Sequence, residues 1–70
     1  MLRYIKLKIL VWEARRRRRI SLKELSQKSG ISKTAINDIE NNKVSPRVNT
    51  LEKIADALGV DISELMRKEN

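Results

Sequence analysis

Cysteine, histidine and phenylalanine are absent from this chain, and glycine (2), proline (1), tryptophan (1) and tyrosine (1) are scarce. Without cysteine or histidine there is no disulfide framework, no thiolate or imidazole metal site, no cysteine nucleophile and no Ser-His or Cys-His pair. Most enzyme chemistry is thereby removed, so the chain is expected to be neither an enzyme nor dependent on a cofactor. With Tyr4 and Trp12 as the sole aromatics, a base-stacking platform for single-stranded nucleic acid is disfavoured. Few glycines and prolines, beside 40% hydrophobic and 36% charged residues, point to a helical globular composition rather than to disorder or an all-β fold. Seventy residues are read as one small domain, 1–70, with a modest core.

Positive charge is abundant and uneven. Residues 1–19 hold eight basic groups and one acidic group, residues 20–47 five and three, and residues 48–70 three and five, within a total of +7. A cationic end of this kind concentrates polyanions, nucleic acid first and an anionic membrane second. The opening MLRYIKLKILVW has a short apolar run, but Lys6 and Lys8 interrupt it, no small-residue cleavage site follows and five arginines come next. A cytoplasmic location is expected.

Capping signals divide the chain into short segments. From about Lys6 to Arg19, helix-forming residues place Leu7, Val11 (with Leu10) and Ala14 on one face, and Ile5, Ile9 and Trp12 on a second, offset stripe. Ahead of this helix, Leu2 and Tyr4 alternate about Arg3 as a short strand would. Ser21 with Glu24 has capping-box spacing, and a second helix carrying Leu22 and Leu25 runs to Gly30. Ser32 caps a third helix with Ala35, Ile36 and Ile39 inward and Lys33, Thr34, Asn37 and Asp38 outward, ending at Asn41-Asn42. Beyond Pro46, Asn49 or Thr50 opens a fourth helix with Leu51, Ile54, Ala55 and Leu58 inward, stopped by Gly59. Asp61 with Glu64 caps a fifth through Ile62, Leu65 and Met66. The expected fold is all-α, five short helices in a compact domain with a short N-terminal strand as an option.

The distinctive unit is Leu22 to Asn41, LKELSQKSGISKTAINDIEN. Two helices meeting steeply need a tight turn, which suits Gly30, and a small residue where backbones approach, which suits Ser26. Here the sequence resembles the Cro/XRE family of helix-turn-helix DNA-binding domains, which includes lambdoid phage repressors. The resemblance runs from about Val11 to Leu65 and takes in both ISLKELSQKSGISKTAINDIENNK and the later P-x-x-x-T-L-E-K-I-A-D-A-L-G-V. It implies a repressor-like domain with the helix-turn-helix at 22–41 and an N-terminal extension at 1–6.

The resemblance further implies a transcriptional regulator, a repressor, that binds double-stranded DNA and lays helix 32–41 in the major groove. Outward residues at its start, Lys33, Thr34, Asn37 and Asp38, then face base edges: Lys can donate to guanine, Asn can pair with adenine, Thr can do either, and Asp can accept from cytosine. Phosphate contacts fall to Ser32, Asn41, Lys43 and Arg47. Ser32 and Asn41 also read as helix caps, and Lys43 and Arg47 as ordinary loop charges. Many relatives carry a phosphate-binding Gln where this chain has Leu22. An arginine at the position of Arg15 pairs in the phage repressors with the glutamate at the position of Glu40, so a structural ion pair is implied. Arg16, Arg17 and Arg19 divide between a solvated C-terminal turn and polyanion contact.

The second apolar stripe, Ile5, Ile9 and Trp12, predicts a homodimer through the N-terminal segment, with the last helix as a competing surface and Trp12 folded back on its own domain as the bland alternative. A different function class is the antitoxin of a toxin-antitoxin pair, which binds its own promoter and a toxin. A protein-interaction module is disfavoured by the polar Lys33, Thr34, Asn37 surface, and a membrane-surface role by charges that surround the apolar residues of the first segment.

Overall fold

The computed structural model describes residues 6–69, and its first element is a strand where the start of a helix was expected. Strand β1 (Lys6–Ile9) leads into α1 (Val11–Arg17), α2 (Leu22–Ser29), α3 (Lys33–Glu40) and α4 (Val48–Leu58). A 3₁₀ turn (Ile62–Leu65) and strand β2 (Met66–Glu69) follow. β1 and β2 form a two-stranded antiparallel sheet in which Leu7 stands opposite Lys68 and Ile9 opposite Met66. The ladder continues into the helical layer, where the Leu10 amide donates to the Leu65 carbonyl at 2.7 Å.

Two expectations are corrected here. There are four α-helices among the described residues, not five, because the last segment makes one 3₁₀ turn and then extends as β2. The first helix is seven residues long and starts at Val11, because Lys6–Ile9 pairs with the far end of the chain. Leu7 accordingly stands 51% exposed instead of joining Val11 and Ala14 inside. With β1 in place of that helical start, Ile9 lies on a strand and packs against the core, while Trp12 lies on a helix, so these two do not share a helical stripe. The expectations for Leu2, Tyr4 and Ile5 fall outside the described residues.

Local chemistry sets the helix ends. The Ser21 hydroxyl accepts from the Glu24 amide at 3.0 Å, opening α2. The Glu24 carboxylate lies 3.2 Å from the Lys28 ammonium, an i,i+4 pair on the exposed face. Ser32 caps α3 by accepting from the Ala35 amide at 3.1 Å. The fourth helix begins at Val48, slightly before the expected Asn49 or Thr50, with no side chain capping it. At Asp61 the amide donates to Glu64 Oε2 at 3.0 Å while the carboxylate accepts from the Ser63 hydroxyl and from the Ser63 amide. Those two donors, the hydroxyl first, hold the Asp61 carboxyl below its ordinary range.

The core is the junction of the helices and the 3₁₀ turn: Val11 and Ala14 from α1, Leu25 from α2, Ile36 and Ile39 from α3, Leu51, Ile54, Ala55 and Leu58 from α4, and Leu65 from the 3₁₀ turn, with Ile9 of β1 and Met66 of β2 packed against it. Among the described residues, two without the freedom of glycine take positive φ, Arg19 at 55° and Asn42 at 59°. Asn42 closes α3, as its tolerance of that conformation suggests, and its amide donates to the Ile39 carbonyl at 3.2 Å.

Candidate nucleic-acid interface

The turn that joins α2 to α3 fixes how α3 is presented. Gly30 ends α2 at φ 76°, and a Cβ built there meets nothing within 4 Å, so glycine is required by the backbone conformation and not by space. The Ser26 hydroxyl donates to the Ile31 carbonyl at 2.6 Å, and the Ile31 amide to the Ser29 hydroxyl at 3.2 Å. Both bonds tie the turn to α2. With Ile36 and Ile39 buried, the opposite face of α3 stands free, and Lys33, Thr34, Asn37 and Asn41 are exposed on it.

These side chains suit recognition of base edges and phosphates. Asn37 Oδ1 accepts from Asn41 Nδ2 at 3.2 Å, which orients the Asn37 amide along the helix surface. Its own NH₂ keeps both donors for a ligand. Ser32 is exposed, and its capping bond uses an oxygen lone pair, leaving the hydroxyl proton free to donate. Beyond α3 the Lys43 amide donates to the Asp38 carbonyl at 2.9 Å, so the loop turns sharply, with Lys43 and Arg47 exposed. Asp38 stands apart from the exposed group: it is half-buried and lines a shallow cleft with Ala35, Val44, Pro46 and Arg47.

The end of α3 is bolted to α1. Arg15 Nε donates to Glu40 Oε2 at 2.9 Å and Nη2 to Oε1 at 3.1 Å, a two-bond pair whose side chains are 16% and 6% exposed. The third guanidinium nitrogen donates to the Ile20 carbonyl at 3.3 Å. One side chain therefore joins α1, the start of α2 and the end of α3. The pair also neutralises the one carboxylate at the end of the exposed α3 face, where it would repel an anionic ligand.

Three features escaped the sequence reading. Arg18 Nη2 donates to the Gly59 carbonyl at 3.1 Å, so one arginine of the run closes the C-terminus of α4. The Asn37–Asn41 bond follows from i,i+4 spacing and was within reach of the sequence. The third is a cleft between β1, α1 and α3, lined by Lys8, Trp12, Leu22, Asn37 and Asn41 among others, which nothing local in the chain announces. Among the described residues no group of acidic side chains is arranged to hold a metal ion, and no helix is long and apolar enough to cross a membrane.

Comparison with known proteins agrees with this geometry. A helix-turn-helix family profile matches residues 13–65. The chain is 33% identical over 55 residues to the immunity repressor protein of Bacillus phage phi105, covering 79% of this chain and 38% of that protein. It is 36% identical over 52 residues to the HTH-type transcriptional regulator PuuR of Escherichia coli (strain K12), covering 74% of this chain and 28% of the regulator. It is also 32% identical over 64 residues to the ImmF control region 10 kDa protein of Bacillus phage phi105, covering 91% of this chain and 71% of that protein. The chain thus spans well under half the length of the first two relatives and most of the third. From the profile that covers α1 to the 3₁₀ turn, and from the α2–turn–α3 geometry within it, the chain belongs to the helix-turn-helix family of Cro/XRE type.

Proposed function

We propose that the protein is a sequence-specific regulator of transcription that represses by occupying a double-stranded DNA operator. The observation that carries this reading is the free face of α3, where Lys33, Thr34 and Asn37 stand exposed between Ser32 at one end and Asn41, Lys43 and Arg47 at the other. In this reading α3 enters the major groove, the first three residues read base edges with Asp38 at the margin, and the other four hold phosphates. The relatives named repressor and transcriptional regulator support it. No feature of the fold or of the relatives favours the antitoxin alternative. Binding requires no cofactor, and the protein works in the cytoplasm where its DNA is.

A two-fold dimer completes the proposal, because two recognition helices spaced about one DNA turn apart raise affinity over one. The exposed apolar pair Val44 (50%) and Val48 (64%), beside the proposed phosphate contacts, supplies its surface in place of the N-terminal stripe. Selection of bound duplexes from a random pool tests the whole reading. An enriched inverted repeat is expected, and recovery of duplexes without any shared sequence would refute it. Within the selected site, Lys33→Ala or Asn37→Ala should relax one base position by ~1–3 kcal/mol, whereas Lys43→Ala should weaken all sequences alike.

A further inference from the structure

The arginine run is not used evenly. Arg15 is spent on Glu40 and Arg18 on the Gly59 carbonyl, while Arg16 finds no carboxylate among the described residues and lies over the Trp12 ring, 4.9 Å from its centroid. Trp12 is 45% exposed and lines the cleft that also contains Lys8, Asn37 and Asn41. The charged residues lining that cleft are Lys8 and Glu13 beside the mutually paired Arg15 and Glu40, so its own charges balance and Arg16, stacked on the Trp12 ring, adds a positive charge beside it. A large exposed indole flanked by two cations is a poor contact for a second copy of the chain, since a two-fold axis would bring Lys8 and Arg16 of both copies together. It is a good contact for an anionic, partly apolar surface. The ring holds the guanidinium plane in place before any ligand arrives, so less side-chain freedom is lost when it forms a bidentate bond to a phosphate.

We propose that Lys8, Trp12 and Arg16 form a second backbone-contact site that holds the sugar–phosphate strand of a DNA duplex beside the bases facing α3. The proposal rests on the DNA-binding reading above and adds to it. The cleft shares Asn37 and Asn41 with the exposed face of α3, so a duplex lying on α3 passes its mouth. Deoxyribose covers the indole edge, and phosphates meet the ammonium of Lys8 and the guanidinium of Arg16.

The test uses the full chain and the duplex recovered by selection, carrying about ten flanking base pairs on each side, one helical turn. Affinity is measured against salt for wild type, Arg16→Gln, Trp12→Leu and Lys53→Gln; Lys53 is exposed on α4 and lines neither cleft. One lost phosphate contact lowers the salt slope by about 0.9, equivalent to about an eightfold loss at 0.1 M salt that vanishes toward 1 M. Arg16→Gln is expected to show this with base preference unchanged, and Lys53→Gln is expected to lose much less. Trp12 is the single tryptophan, so its fluorescence reports the site directly and should change with the flanked duplex but not with one trimmed to the selected bases. Equal losses for Arg16→Gln and Lys53→Gln, or an indole signal indifferent to the flanks, would overturn the site. So would a fall in mass from dimer to monomer with Trp12→Leu, which would assign the face to a second copy. If these variants bind like wild type while Asn37→Ala still relaxes base preference, this inference alone fails. If wild type selects no sequence, the DNA-binding reading fails and takes the site with it.

Discussion

Replacing Glu40 by Gln tests whether the bolt between α1 and α3 sustains the fold. The substitution keeps the shape, removes the charge and turns one acceptor into a donor facing a guanidinium. Breaking a fully buried pair costs ~3–5 kcal/mol because the surviving charge is stranded. Arg15 keeps its bond to the Ile20 carbonyl and is 16% exposed, so it recovers part of that loss, which places the cost at about 2–3 kcal/mol. At ~0.05–0.15 kcal/mol per residue, a fold of this length holds roughly 4–10 kcal/mol in all, so the change removes a large share. With about 4–8 °C per kcal/mol for a domain of this size, Tm should fall by roughly 10–20 °C in a circular dichroism melt. Arg15→Met destabilises in the same way, and the double variant should regain much of the loss, since neither charge is then left unpaired. A double-mutant cycle with coupling below about 0.5 kcal/mol would refute the reasoning, because two contacting groups would then be acting independently.

Other outcomes follow from single features of the fold. Arg19 sits at φ 55°, so Arg19→Gly should raise Tm, by about 1 kcal/mol of stability once the greater freedom of glycine in the unfolded chain is set against the relieved strain; an unchanged Tm would contradict the strain argument. Ile36 is fully buried beneath the exposed face of α3, so Ile36→Ala should cost ~2–5 kcal/mol in urea unfolding without altering which base is preferred. The Asp61 carboxyl is held below its ordinary value of 3.8, so its contribution is present above that value and is lost as pH falls through the lowered one. Stability of wild type relative to Asp61→Asn, followed by urea melts across the acid range, should therefore shrink with falling pH, and a constant difference would exclude the Ser63 bonds as its source.

Much of the helical layer was legible because its determinants are local. Ser21 and Ser32 accept from amides three residues on, Gly30 and Gly59 take the left-handed conformation just after a helix, and Asp61 meets Glu64 three residues away. Each is a short-range contact that one stretch of chain specifies alone. The inward positions of α3 and α4 were equally open to reading, since the period of a helix puts Ile36 with Ile39, and Leu51 with Ile54, Ala55 and Leu58, on one side.

The first and last segments depended on each other. KLKI alternates like a strand, yet its apolar residues also fit the spacing of the following helix, and nothing nearby decides between the two. Pairing with Met66–Glu69 decides it, because the ladder satisfies backbone groups of both segments, and that partner arrives from the opposite end of the chain. The same distance separates the two levels at the proposed DNA surface. By itself the sequence determined that the chain is cationic, mostly helical, built around a helix-turn-helix and equipped with polar residues on one face of α3. Tertiary structure alone decided that β1 closes on β2 and that Arg18 caps α4. Arg16 lies over Trp12 through i,i+4 spacing within α1, but tertiary structure alone set that ring at a cleft shared with α3, since long-range packing, not local propensity, fixes how α1 is turned.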